Sequence, residues 1–401
     1  MKIYTPEDVG FSTQRLERIN IKMQQLIDDG RIAGCVSLIM RRGKVCYFDK
    51  QGMQDIAANK PMELDTIFRI YSMTKPITSV GLMMLYEHGL FHLSDPVSKF
   101  IPEFKQVKVY SDKGKLVEPE REPTVRDLLS HTAGLSYGGH LERQHPVDAM
   151  YDEKKVGSGH LSLGETARLI AEIPLLYHPG RRWHYSFATD VAGHVLEVIA
   201  DMPIADYFAD KIFGPLGMID TAFTIAPAKE DRIAEIYGLD AEGRLGVMDR
   251  AIVGEFGEHV RLHSTGAGLV STAADYSRFG QLVLNQGELD GVRLLGRKTM
   301  ELMAMNHVPP DLLPISAEEG IHGFGPGFGF GLGFSVLMDP GQAGFLGSID
   351  NHGWGGWAST KFWADPQEEL IGIFMTQYIP IDAYSPRDDF YTLVYQALVT
   401  T

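Results

Sequence analysis

Phe68-Arg69-Ile70-Tyr71-Ser72-Met73-Thr74-Lys75-Pro76-Ile77-Thr78-Ser79-Val80-Gly81-Leu82-Met83-Met84-Leu85-Tyr86-Glu87-His88-Gly89 is the stretch whose reading decides the fold. After Pro76 the apolar residues Ile77, Val80, Met84 and Leu85 fall at helical spacing rather than in strand alternation. Leu82, Met83 and Tyr86 widen the stripe until the helix is apolar almost all round, which predicts that it lies inside the protein. Pro76 is tolerated only in the first turn, where its missing N–H has no helical partner to lose, and Gly89 supplies the stop. The helix therefore begins close to Ser72, with Lys75 three residues on and within side-chain reach. A serine at the positive end of a buried helix, with an ammonium beside it, is a candidate nucleophile. The alternative is an ordinary helix cap next to a lysine.

Working towards the N-terminus, residues 12–29 read as an amphipathic helix, with Ser12 as cap and Leu16, Ile19, Met23, Leu26 and Ile27 on one face. Residues 34–40 and 44–48 form a hairpin around Arg41-Arg42-Gly43. Working the other way, Asp95-Pro96 and Ile101-Pro102 break the chain, and the lysine-rich segment 105–122 reads as an exposed loop or hairpin. Thr124 caps a short helix through Leu128 and Leu129, ended by Gly134. Residues 135–160, rich in Gly, His and charge, read as a long loop, a lid or pocket wall. Helices are expected at 162–172, 188–200, 203–213 and 273–285, with 222–262 irregular and 264–270 leading into the last of them. Strands are expected at 323–336, 354–363 and 370–377, and a closing helix at 386–399. Strands at both ends and helices between predict an α/β plus all-α architecture: an antiparallel sheet from both termini with an inserted helical domain. The expected division is 1–67 with 256–401 for the sheet domain and 68–255 for the helical one. A ligand is expected in the cleft between them.

A length of 401 residues suits two closely packed domains, and 44% hydrophobic with 22% charged residues is ordinary globular composition. The net charge of −15 argues against a nucleic-acid backbone or an anionic membrane as partner. No stretch reads as a signal peptide or membrane span, so the chain reads as cytoplasmic. Cys35 and Cys46 lie on paired strands but not opposite each other, and read as buried free thiols. No metal and no cofactor is expected.

Two further elements carry chemistry. Tyr185-Ser186-Phe187 lies in a turn before the helix at 188–200. A tyrosine there can take the Ser72 proton if its phenolate is stabilised by the Lys75 ammonium. In Trp354-Gly355-Gly356-Trp357 the bare glycines allow backbone to approach a ligand, and a following N–H can help hold an oxyanion. Gly134-Leu135-Ser136-Tyr137-Gly138 fits the Gly-x-Ser-x-Gly pentapeptide, but that elbow needs a strand before the serine and a helix after it. Here a helix precedes, so Ser136 is read as accidental. His259 and His263 have i, i+4 spacing without the zinc-protease glutamate and are read as surface or packing residues.

Taken in order, these landmarks resemble the penicillin-recognising serine hydrolases: class C β-lactamases, D,D-peptidases and the family VIII carboxylesterases. Phe68 to Lys75 is similar to that family's nucleophile segment. Leu128-Leu129-Ser130-His131-Thr132-Ala133-Gly134, Pro179-Gly180 through Tyr185-Ser186, and Gly266-Ala267-Gly268-Leu269-Val270-Ser271-Thr272 are similar to its other landmarks. The resemblance implies a β-lactamase-like fold, with Ser72 acylated, Lys75 its electrostatic partner or proton acceptor, and Tyr185 general base and later acid. It further implies an oxyanion hole from the N–H groups of Ser72 and Trp357, and a substrate pocket lined by Tyr137, Phe187, Trp354, Gly355 and Gly356. Which of Lys75 and Tyr185 takes the first proton stays open, because their titrations are coupled. β-Lactamases usually carry asparagine where this chain has Phe187, and lysine or histidine where it has Trp354. Reading His352-Gly353-Trp354 as the third motif restores the histidine but loses the family's third-position glycine. Aromatic walls in place of polar anchors favour a neutral ester over a carboxylated lactam. The expected function is a serine carboxylesterase acting on a small-molecule ester of short to medium chain. A β-lactamase, a D-amino-acid amidase or peptidase, an acyltransferase and a catalytically silent binding protein are the alternatives.

Overall fold

The two ends of the chain meet in one eight-stranded antiparallel sheet. The computed structural model describes residues 1–141, 145–249, 260–315, 325–380 and 384–400, and shows the strands in the order Phe328–Phe330, Ser335–Leu337, His352–Gly355, Lys361–Asp365, Leu370–Met375, Gly34–Arg41, Lys44–Asp55, Lys60–Pro61. The termini join at Gly34–Arg41, where Leu38 stands opposite Ile373 on one side and Phe48 on the other. That strand is buried along its whole length because both sheet faces are covered. Cys35 and Ile39 point with Trp363 and Phe374 into a layer formed with Leu16, Ile19 and Met23 of Thr13–Asp28 and Phe390 and Val394 of Pro386–Ala397. Val36 and Leu38 point the other way with Phe362, Ile371 and Ile373 into the larger core, which contains Tyr276 and Phe279 of the helix Ala273–Leu284. Burying each aliphatic side chain of this kind contributes about 1.5–3 kcal/mol, and truncating Leu38 to Ala costs about 2–5 kcal/mol once the cavity is included.

The inserted helices include the central one, Thr74–Glu87, which is buried on nearly every side from Thr74 to Leu85. It ends at His88, and Gly89 follows with φ +69°. At Gly81 a Cβ would meet Leu196, Ile212 and Phe208 at 3.2–3.3 Å, so the bare position seats this helix against Ala188–Ala200 and Ile204–Phe208. Among the described residues no helix is long and apolar enough to cross a membrane.

Most expected elements form: Ser12 caps the first helix by accepting from the Arg15 N–H, and Thr124 and Asp127 close a capping box on Val125–Leu129. Arg42 and Gly43 take positive φ in the first hairpin turn, and residues 109–117 do form a hairpin. Cys35 and Cys46 are free, out of register with each other, and burial pushes both thiols up to about 12.

Four expectations need correction. Within residues 135–160 lies a helix, Pro146–Glu153, whose cap is the unusual His145, its Nδ1 accepting from the Val147 N–H. The irregular 222–262 contains the hairpin Tyr237–Leu239 with Leu245–Val247, its turn held by the Asp240 carboxylate accepting from the Glu242 and Arg244 N–H groups. The expected strand at 323–336 is instead two strands, Phe328–Phe330 and Ser335–Leu337, around a turn at 331–334, and 323–324 lie outside the described residues. The expected strand at 354–363 is likewise two, His352–Gly355 and Lys361–Asp365, because Ser359 takes φ +65° and Gly356 N–H bonds back to the Thr360 carbonyl. The apolar run through Trp357 and Ala358 hides this turn in the sequence. The helix Arg297–Ala304 has no counterpart among the expected elements.

Candidate active site

Ser72 stands in a short 3₁₀ turn, Tyr71–Met73, one step outside the central helix. Tyr71 has φ +42°, a conformation L residues avoid, and the neighbouring serine is only half-buried while everything that follows is enclosed. Lys75 is the first consequence of this geometry. Its side chain is fully buried, and Nζ donates to Ser72 Oγ at 3.2 Å, Tyr137 OH at 2.8 Å and the Gly266 carbonyl at 2.8 Å. Burial lowers its pKa to about 7, with the Asp190 carboxylate opposing that fall. A pKa this close to neutrality lets the amine exchange a proton at little cost.

Tyr185 is carried on the turn ahead of Ala188–Ala200. That turn is laced to residues 131–136 by backbone bonds from His184 N–H to the His131 carbonyl and from Phe187 N–H to the Ser136 carbonyl. The Tyr185 hydroxyl is hydrogen-bonded with Ser72, with Tyr137 and with Trp354 Nε1, the last at 3.4 Å. Lys75 Nζ lies 4.5 Å from the centre of the Tyr185 ring, a cation–π placement. Burial drives the Tyr185 pKa up, and the bonds from Ser72, Trp354 and Tyr137 only moderate that rise. This differs from the expectation of a phenolate held down by the Lys75 ammonium: the lysine itself is depressed, and the phenol oxygen is instead a focus of hydrogen bonds.

The turn at 356–360 brings the third motif alongside. A Cβ on Gly356 would stand 2.2 Å from Thr360 Oγ1 and 2.5 Å from the Ile70 carbonyl oxygen, so only glycine lets this backbone lie against the residues leading into Ser72. The Trp357 ring meets Tyr71 edge-on at 5.5 Å. Trp354 packs between Tyr185 at 5.7 Å and Phe330 at 5.1 Å. Gly355 faces away, towards the Arg387 guanidinium.

Two of the candidate pocket residues pack on each other. Phe187 is buried behind Tyr137, with ring centres 4.5 Å apart, and stacks on Tyr151 at 6.2 Å. Tyr137 accepts from Lys75 Nζ at 2.8 Å and is hydrogen-bonded with Tyr185. His352 is buried against Phe334, its Nδ1 2.7 Å from the Asp350 carbonyl. Ser136 is fully buried, its hydroxyl donating to Asp148 and accepting from the Gly138 N–H at 3.0 Å. His263 stacks on Phe223 at 5.0 Å, and His259 lies outside the described residues.

Residues that the sequence did not single out complete the setting. His131 lies 4.7 Å from the Tyr185 ring and is kept neutral by burial. Asp190 is buried and accepts from Ser264 Oγ at 2.6 Å and the Gly266 N–H at 3.3 Å. One signal for it existed: a lone carboxylate in Ala188-Thr189-Asp190-Val191-Ala192-Gly193, an otherwise apolar helix start.

The chain matches the family model described as Beta-lactamase over residues 19–396. It is 34% identical over 373 residues to Protein Rv1367c of Mycobacterium tuberculosis (strain ATCC 25618 / H37Rv), covering 89% of each chain. It is 30% identical over 378 residues to Esterase EstB of Burkholderia gladioli, covering 90% of this chain and 89% of that protein. Among solved structures, EstCE1, a hydrolase with promiscuous acyltransferase activity, superposes with a TM-score of 0.80 at 29% identity, covering 96% of this chain and 99% of its own. Simvastatin synthase LovD from Aspergillus terreus superposes with a TM-score of 0.79 at 23% identity, covering 96% and 98%, a likeness of fold.

Proposed function

The chain belongs to the beta-lactamase family, and on that premise we propose that it is a serine carboxylesterase hydrolysing short- to medium-chain esters through an acyl-enzyme on Ser72. The observation that carries this reading is the meeting of the Ser72, Lys75 and Tyr185 polar atoms at the mouth of the buried helix. Ser72 Oγ attacks the ester carbonyl carbon while its proton passes to the Lys75–Tyr185 pair. The N–H groups of Ser72 and Trp357 hold the oxyanion, and each such donor contributes about 2.7–4 kcal/mol to lowering the barrier. The C–O bond then breaks, the departing alcohol takes the proton back, and water repeats the sequence on the acyl-serine. An alcohol in place of that water makes the same intermediate an acyl donor, a second reading favoured by the likeness to EstCE1. The proposed division of the chain puts Ser72, Lys75 and Tyr185 on the helical part, 68–255, and Trp354 to Trp357 on the sheet part.

Specificity follows from Trp354. Its indole stands where lactam-hydrolysing relatives usually carry a cation, and desolvating a carboxylate without a partner costs several kcal/mol. Phe187 packs on Tyr137 beside this wall, ring centres 4.5 Å apart. Initial rates on p-nitrophenyl butyrate and on a chromogenic cephalosporin test the reading. The ester should be favoured in kcat/KM by orders of magnitude, and the reverse ranking would refute it.

A further inference from the structure

Lys75 and Asp190 are both fully buried, one at the start of the central helix and the other on the helix behind Tyr185. What joins them is the backbone of residues 264–266. Asp190 Oδ1 accepts from Ser264 Oγ and from the Gly266 N–H, and the carbonyl of that same Gly266 accepts from Lys75 Nζ at 2.8 Å. Thr265, between them, bonds through Oγ1 to the Thr189 carbonyl, while its own carbonyl accepts from Thr78 Oγ1, so the segment is stitched to both helices. The second carboxylate oxygen, Oδ2, is buried with no hydrogen-bond partner among the described residues. A Cβ at Gly266 would stand 2.5 Å from that oxygen and 3.3 Å from Tyr137 OH, so glycine alone lets carboxylate, phenol and loop converge. Burial pushes the Asp190 carboxyl above the usual carboxylate range, and the Ser264 bond, the Lys75 charge and the Gly266 N–H oppose that rise.

We propose that Asp190 is the positioning residue of the site: through Ser264 and Gly266 it holds the carbonyl that seats Lys75, and its charge sets the pH at which the nucleophile is activated. The inference rests on the proposed acylation of Ser72. The groups that face this pair are Tyr137, Tyr185 and Ser72 from the cleft side, with His131 beyond them, itself neighboured by His184. Asp190 favours the charged form of Lys75 and disfavours the phenolates of Tyr137 and Tyr185. Removing its charge therefore makes proton acceptance available at lower pH, whichever of the two groups takes the proton.

The test is the second-order rate of fluorophosphonate labelling, with the adduct assigned to its peptide, followed from pH 5 to 10 in wild type, D190N, D190E and S264A. D190N should move the acid limb down by about one pH unit, in keeping with one charge lost a few ångströms away in protein. D190E should keep the wild-type limb. S264A, which retains the charge but loses one tether, should label more slowly with an unmoved limb. If D190N does not fold, Asp190→Ser supplies the neutral variant. A limb that stays or rises in the neutral variant overturns the proposal, as does a shift in S264A equal to that of D190N. If wild type takes no label on Ser72, the proposed function fails; if it does and the limb stays in D190N, only the role of Asp190 fails.

Discussion

Ser72 and Ser136 both sit in short motifs that announce a nucleophile, and the two surroundings could hardly differ more. Ser72 lies in a turn with φ +42° before it, half-open, with a lysine amine at 3.2 Å and a tyrosine hydroxyl hydrogen-bonded to it. Ser136 is sealed, its proton directed at the Asp148 carboxylate, its carbonyl bonded to the Phe187 N–H. On the proposed reading, the first loses its proton to a group that can return it. The second is set to hold the turn that carries Tyr185. What separates them is the acceptor and the access, which no pentapeptide encodes.

The comparison breaks most readily at the acceptor. Lys75→Ala and Tyr185→Phe should each lower kcat/KM on an ester by about 10²–10⁴-fold, and the double variant should lose little more, because groups serving one proton transfer are strongly non-additive. Losses that multiply would mean that the two act separately. The pH profile sharpens the same point. Where uncharged Lys75, lowered to about 7, is the acceptor, kcat/KM rises with pH below that value and levels off above it. A profile that falls as pH rises through 7 would show that the ammonium is the active form. The smallest effect on activity belongs to Ser136→Ala: kcat per folded molecule should stay within about threefold of wild type. Stability should drop by about 1–3 kcal/mol in urea unfolding, since the Gly138 N–H and the Asp148 carboxylate lose a buried partner. Loss of turnover in a folded Ser136→Ala protein would erase the distinction.

Much of the nucleophile end was legible because it is local. Pro76, the apolar stripe and Gly89 place the helix, and Lys75 follows Ser72 by three positions whatever the rest of the chain does. The sheet from both termini was legible from strand patterns for the same reason. What escaped depends on residues far apart in sequence. The carbonyl of Gly266 on Lys75 spans 191 positions, and Ser264 on Asp190 spans 74. The turn after Gly355 was hidden by an apolar run, and the His145 cap by a residue seldom used there. The contacts of Phe187 with Tyr137 and Tyr151 likewise join residues far apart in sequence.

One measurement bears on the central claim more directly than any other. Protein mixed with a slowly released p-nitrophenyl ester, quenched in acid during turnover and digested, should carry the acyl mass on the peptide containing Ser72, with none on the peptide containing Ser136. Acyl mass on Ser136, or turnover persisting in Ser72→Ala, would contradict the account.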